Sequence, residues 1–389
     1  MTWPIIVFIC MPSRHFKHLP HAASYLPKPS NTNLIPAPAR FPTRFLRIAS
    51  FPVQTDIGID RLQPLALSFP PMTPGKKFLT SEEIRPLAKR SDQMGAALLL
   101  HCYGIALFAL LVFKAFPNLL SFLLAVALIG SRQLGLAILM HDAAHRALFK
   151  SRHANEIAGV WLCGNPILAD MLAYRHYHFV HHRFTQTTQD PDISLAQAFP
   201  TTGHSLIRKF LRDLTGRTGA RQILAQIRLS LNLAGDQDAL AEAQKQAQAF
   251  KGGGLRGALL ANAVLFTLMT LIGAWWWWFA FWLLPLVTWF QLVLRIRNIA
   301  EHAVTEYSDN PFRNVRTTLA TPLAALFVAP YWVNYHLEHH LIMHVPCFRL
   351  KKMHRLMLAK GYGDRMNIAP GYGVVLALAA SQEPQRVKP

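Results

Sequence analysis

The chain is poor in cysteine, in acid and in charge altogether. Its four cysteines, Cys10, Cys102, Cys163 and Cys347, make no Cys-x-x-Cys pair, so neither a disulfide framework nor a thiolate metal site is expected. Only 15% of its 389 residues are charged while 52% are hydrophobic, a low charge content for a soluble protein. Acids number 20 against 40 Lys and Arg. No aromatic-basic recognition module accompanies that excess, so it points to anionic headgroups and an acidic partner rather than to nucleic acid.

The apolar residues are concentrated in blocks. Residues 95–113 and 118–140 flank Pro117, and residues 255–294 form one long block broken near Gly273. A spanning helix needs about 20 mostly apolar residues, so these blocks predict two helical hairpins and four crossings. Trp275 to Trp278 fall at a hairpin tip, where indoles favour the interface. The short connections hold Lys114 and, at Gly273, no charge, whereas residues 141–256 carry 14 Lys and Arg against 9 Asp and Glu. The positive-inside rule then places that segment and both termini in the cytoplasm.

This reading divides the chain into six parts. Residues 1–71 are Pro-rich without periodicity, a disordered or over-called extension. Residues 72–140 hold a helix opened by the capping box Thr80-Ser81-Glu82-Glu83, followed by the first hairpin. A cytosolic insert over 141–254 precedes the second hairpin at 255–297. A cytosolic C-terminal part over 298–370 and a tail over 371–389 complete the chain. Within the insert, Ile157 to Ala173 is apolar but broken by Gly164-Asn165-Pro166, and reads as an interfacial element, as does Leu319 to Val333.

Against these shortages stands an abundance of histidine in four clusters: HDAAH at 141–145, HFVHH at 178–182, NIAEH at 298–302 and HLEHH at 336–340. Residues three and four apart share a helix face, so each H-x-x-H-H is expected to aim three imidazoles one way and His141 and His145 two. Nine imidazoles are too many for one ion and suit two. All lie on the side assigned to the cytosol. The expected fold is thus all-α and integral to the membrane: four transmembrane helices in two hairpins, with a cytosolic helical cap carrying a nine-histidine dimetal site. Neutral imidazole suits iron, zinc or copper, so ligand type leaves the metal open.

In this order, between two hairpins, the clusters resemble the membrane fatty acid desaturases over roughly residues 95–365. HHRFTQ (181–186) and RNIAEHA (297–303) look like the bacterial acyl-desaturase branch. The resemblance implies that His141, His145, His178, His181, His182, His302, His336, His339 and His340 bind two iron ions, with Asn298 contributing through water. Asp142, Glu301 and Glu338 adjoin these ligands and would orient imidazoles by accepting their hydrogen bonds. No catalytic residue beyond the metal centre is implied. The expected reaction is O2-dependent insertion of a carbon–carbon double bond into a lipid acyl chain at the bacterial inner membrane. No His-Pro-Gly-Gly segment of a fused cytochrome b5 domain is visible, nor a Cys-x-x-Cys ferredoxin or rubredoxin motif, so a separate electron carrier, a ferredoxin or similar, is expected.

Three rivals compete with that expectation. A hydroxylase or carotenoid ketolase on the same scaffold shares the clusters and diverges only after the first hydrogen is removed. An intramembrane zinc protease would use HDAAH in place of His-Glu-x-x-His but leaves seven histidines unused. A metal transporter would line the membrane interior with ligands, whereas these follow helix ends.

Overall fold

The computed structural model describes residues 78–230 and 255–382; the extension read over residues 1–71 lies outside them. The chain is built from helices. The expected capping box opens α1 (Ser81–Leu87): Thr80 Oγ1 accepts from Glu83 N, and Glu83 Oε2 accepts from Thr80 N at 2.7 Å. Helices α2 (Asp92–Ala115) and α3 (Leu119–Ala144) form the first hairpin. Each starts on a side-chain cap, Ser91 for α2 and Asn118 for α3, which satisfies an otherwise orphaned first-turn amide.

The insert begins with α4 (Arg152–Ile157), a π-helical turn over Ala158–Gly164 and a 3-10 turn over Asn165–Ile167. It then bends by 97° into α5 (Met171–Phe184). Exposed Ile157, Trp161 and Leu162 give this bent element an apolar surface suited to the interface. Short α6 (Ile193–Gln197) and the amphipathic pair α7 (Gly203–Leu214) and α8 (Arg217–Ser230) follow.

The second hairpin pairs α9 (Leu255–Ile272) with a span that the sequence did not mark as interrupted. It opens as a π-helical turn over Phe279–Leu283, continues as α10 (Leu284–Val287), and breaks at Thr288 before α11 (Trp289–His302). Pro285 cannot donate to the helix ladder, and Thr288 Oγ1 turns back to the Leu284 carbonyl at 2.6 Å. At the hairpin tip Trp277 is buried, its ring over Gly273, where an added Cβ would sit 2.3 Å from the indole. Trp275 and Trp276 are exposed. Lys114 donates to the Ile272 carbonyl at 2.6 Å and ties the two tips together.

Four helical segments among the described residues, Asp92–Ala115, Leu119–Ala144, Leu255–Ile272 and Phe279–His302, are long and apolar enough to cross a membrane. Lipid tails are as apolar as leucine, so such helices associate through close packing and small residues. Gly95, Cys102, Ala106 and Ala109 line the buried side of α2. On α3, a Cβ at Gly130 would lie 2.9 Å from Trp289 Cβ, and one at Gly135 would lie 2.8 Å from the Tyr331 ring.

Beyond α11 the chain forms α12 (Pro322–Phe327), α13 (His336–Leu341), α14 (Cys347–Ala359) and α15 (Tyr372–Ala379). Two-residue strands β1 (Thr317–Thr318) and β2 (Ile368–Ala369) pair in parallel, Thr317 opposite Ile368. Helix α15 lies in the stretch read as a tail; its Val375 and Ala379 join Ile299 and Ala300 of α11 in a small core with Leu206 of α7.

Candidate metal centre

The ligand nitrogens gather into two groups, one of His141, His145, His178, His182 and His339, the other of His181, His302, His336 and His340; within each they lie within 4.8 Å of one another. The expectation that each H-x-x-H-H aims three imidazoles one way is corrected here. His178 and His182 join the five-nitrogen group while His181 joins the four; His336 and His340 join the four while His339 joins the five. Helix geometry supplies the reason. At about 100° per residue, positions three and four along fall roughly 60° behind and 40° ahead of the first, so adjacent histidines diverge by about 100°. Each H-x-x-H-H box therefore serves both groups, while His141 and His145 serve the five-nitrogen group and His302 the four.

Four elements deliver these side chains. Helix α3 carries His141 in its last turn, with His145 as its C-cap residue. Asp170 caps α5 by accepting from Leu172 N at 2.9 Å and Ala173 N at 3.1 Å, fixing the helix that carries the second box. The α11 helix ends in His302, and half-buried Asn298 sits one turn earlier. Helix α13 carries His336, His339 and His340. Around these elements the backbone is held in the left-handed region at residues other than glycine: Arg146 after His145, Gln186 after His182, Val304 after His302, and Tyr331 with Trp332 before His336. Each costs about 1–2 kcal/mol, and such strain is typical of functional sites.

The nitrogens approach closely. His141 Nε2 lies 2.9 Å from His339 Nε2, which lies 2.9 Å from His182 Nε2, itself 2.8 Å from His178 Nε2. In the other group His336 Nε2 is 2.9 Å from His302 Nε2 and 3.0 Å from His340 Nε2. A metal–nitrogen bond of roughly 2.1 Å sets neighbouring ligands about 3 Å apart at right angles and about 3.4 Å apart in a tetrahedron. The observed edges fit right-angled coordination. His145 Nε2 and His181 Nε2 are moreover buried without a hydrogen-bond partner, a state that costs about 1–3 kcal/mol each unless something binds there. The residues fit a pair of metal ions.

Electrostatics agree. Burial first, and neighbouring histidines with it, hold His145, His178, His182, His336, His339 and His340 well below the usual imidazole value, so they stay neutral and able to ligate. His181 differs. Burial pushes it down too, but Asp190, through charge and hydrogen bond, and Asp192 outweigh burial and raise it.

Carboxylates stand around the groups unevenly. Asp142 Oδ1 is 3.6 Å from His141 Nδ1, while its Oδ2 accepts from Cys347 N at 2.8 Å. Glu301 Oε1 is 3.5 Å from His336 Nδ1 and 2.7 Å from Arg297 Nε. Glu338, expected beside the ligands, turns away: it lies 2.5 Å from His354 Nδ1 and accepts from Thr317 Oγ1. Helical spacing explains this, since Glu338 sits between His336 and His339 on a face neither uses. The tightest carboxylate contact to one of the clustered histidines went unread in the sequence. Asp190 Oδ1 lies 2.8 Å from His181 Nδ1. Its segment, Gln189-Asp190-Pro191-Asp192, reads only as a turn, and nine residues of separation give no helical register to reveal the pairing. His176 is exposed on α5 and belongs to neither group.

A model of the fatty acid desaturase family matches residues 117–370, which take in both groups. The chain belongs to the fatty acid desaturase family. It is an oxidoreductase and an integral membrane protein, and the family implies a lipid substrate. Over 270 residues it is 26% identical to dihydrorhizobitoxine desaturase of Bradyrhizobium elkanii, covering 65% of this chain and 70% of that one. Over 239 residues it is 24% identical to sn-1 oleoyl-lipid 12-desaturase of a Picosynechococcus species, covering 58% and 65%.

Proposed function

We propose that this desaturase introduces a carbon–carbon double bond into the acyl chain of a membrane lipid, using two iron ions, O2 and a separate acidic electron carrier, at the cytoplasmic face of a bacterial inner membrane. The observation that carries the reading is the pair of adjacent imidazole groups, five and four nitrogens, buried at the ends of the second and fourth spans. The five-nitrogen group would hold one ion and the four-nitrogen group the other, with Asn298 close enough in sequence to His302 to contribute through water. When bound, the pair supplies the two-electron chemistry that lets O2 remove hydrogen from adjacent methylenes. The chain's own residues keep the imidazoles neutral by burial and hold His181 through Asp190. The sheath of apolar side chains on the spans lets an acyl chain approach from the bilayer, and the excess of 14 Lys and Arg over 9 acids in residues 141–256 favours an acidic donor on the cytoplasmic side.

The two relatives are named for different substrates, dihydrorhizobitoxine and an oleoyl lipid, so family membership leaves the substrate to experiment. The test is the fatty acid profile of membranes from a strain with and without the expressed chain. A new unsaturated species is expected. A product that gains oxygen with no loss of hydrogen would point to a hydroxylase on this scaffold and overturn the proposal. Purified protein should bind about two irons per chain, and turnover at limiting carrier should slow as salt rises, because exposed attractions are screened over about 10 Å at 0.1 M ionic strength.

A further inference from the structure

The segment from Thr185 to Asp192 touches three of the four histidines of one group. Asp190 Oδ1 accepts from His181 Nδ1 at 2.8 Å. An ionised carboxylate only accepts, so the proton sits on Nδ1 and the bare lone pair on Nε2, the atom buried without a partner. Thr185 Oγ1 donates to the His181 carbonyl at 2.7 Å and lies 3.3 Å from His340 Nδ1, from which it can accept. Gln186 Nε2 donates to the His302 carbonyl at 2.7 Å and to Thr305 Oγ1 at 2.8 Å. The segment is itself braced: Asp190 accepts from Gln186 N at 2.9 Å and from Asp192 N at 2.8 Å, and Asp192 accepts from Tyr177 Oη at 2.6 Å. Gln186 holds a left-handed backbone, φ 61°, to make both contacts.

Among the described residues no loop segment is placed equivalently against the five-nitrogen group. This segment reaches it only where Thr185 Oγ1 lies 3.4 Å from the main-chain carbonyl of His182. Among the described residues, the carboxylate beside its imidazoles is Asp142, which stands 3.6 Å from His141 Nδ1, beyond hydrogen-bond range.

We propose that residues 185–192 form a clamp that pre-organises the four-nitrogen group alone, with Asp190 as its principal positioning residue. The four-nitrogen group is thereby a distinct, tighter metal position despite having one imidazole fewer. The proposal rests on the two-metal reading above and deepens it. Hydrogen-bond partners behind metal-binding histidines typically govern roughly 10- to 100-fold in affinity, because they fix tautomer and ring orientation before the metal arrives.

The test is metal binding by the purified full chain, stripped with chelator and titrated without oxygen with Fe(II), and separately with Co(II), whose visible bands report each site. Wild type should bind two equivalents of unequal affinity. Asp190→Ala should weaken the tighter equivalent by roughly 10- to 100-fold and leave the other unchanged. His145→Ala should weaken the other. Asp190→Ala added to His340→Ala should cost little beyond His340→Ala, since both act on one site, whereas Asp190→Ala with His145→Ala should lose both. Should Asp190→Ala fail to fold, Thr185→Val, which keeps the carboxylate, should weaken the same equivalent by a smaller factor. Equal weakening of both equivalents, or no change in either, overturns the clamp while two-metal binding stands. Wild type that binds fewer than two equivalents instead overturns the two-metal reading itself.

Discussion

The second and fourth spans bury 72% and 50% of their apolar windows inside the protein, whereas the first and third bury 33% and 17%. The two pairs overlap in mean hydropathy, 2.3 and 1.8 for the exposed spans against 1.9 and 1.7 for the buried ones, so composition does not separate them. What differs is what each span ends in. The buried spans run directly into His141 and His302, and the exposed ones carry no ligand. Helices α2 and α9 present Leu100, Phe108, Leu259 and Leu271 outward, as lipid-facing helices do. Helices α3 and α11 pack on each other through Gly130 against Trp289 and Phe290, and Ser131 accepts from Trp289 Nε1 at 3.0 Å. Burial on this scaffold follows from the need to hold imidazoles in register, and the outer helices serve as the inner pair's solvent-facing or lipid-facing sheath.

The sharpest way to break that contrast is to remove a histidine from each kind of span. His141→Ala and His302→Ala should reduce desaturation to background and lower iron content while the protein still inserts. His101→Ala on α2, which loses a 3.2 Å contact with Tyr331 Oη, should keep most activity and cost about 1 kcal/mol. Lipid profiles, metal content and membrane fractionation read all three. Substantial activity in His141→Ala would end the assignment.

Glycines give the next largest effect. Leucine at Gly130 must push into Trp289 and Phe290, an overpacking that costs about 1–3 kcal/mol and opens the α3–α11 contact behind the site. Leucine at Gly104 on α2 meets nothing within 4 Å and should be neutral or slightly stabilising. Thermal melting in detergent compares the two; equal shifts would remove the distinction between inner and outer spans.

The smallest expected effect is in pH, and it belongs to the site alone. In the metal-free protein, His145, His178, His182, His336, His339 and His340 stay neutral where the unfolded chain takes up protons near the usual value of 6.5. Their contribution is present above pH 6.5 and is lost as pH falls below it. His181, raised instead, has the opposite sign and offsets part of the loss. Melting temperature should therefore fall on acidification from about pH 7.5 to 5.5, and the fall should shrink once metal is restored. A flat profile would mean that these imidazoles are more hydrated than their burial implies.

The sequence alone determined which segments are apolar enough to span, where the capping box at Thr80 begins, and which nine histidines share a pattern, because each of these depends on local composition or helical period. The break at Thr288 was less legible, since Pro285 predicts a disturbance but not where the ladder resumes. The division of the two H-x-x-H-H boxes between two groups, His181 from His182 and His339 from His340, required the helices to be set in place, because a 100° divergence matters only when something stands on both sides. Asp190 behind His181, Glu338 turned to His354, and α15 against α11 were decided by tertiary structure alone. Each joins residues whose separation carries no helical or strand period, and only packing in three dimensions brings them within reach.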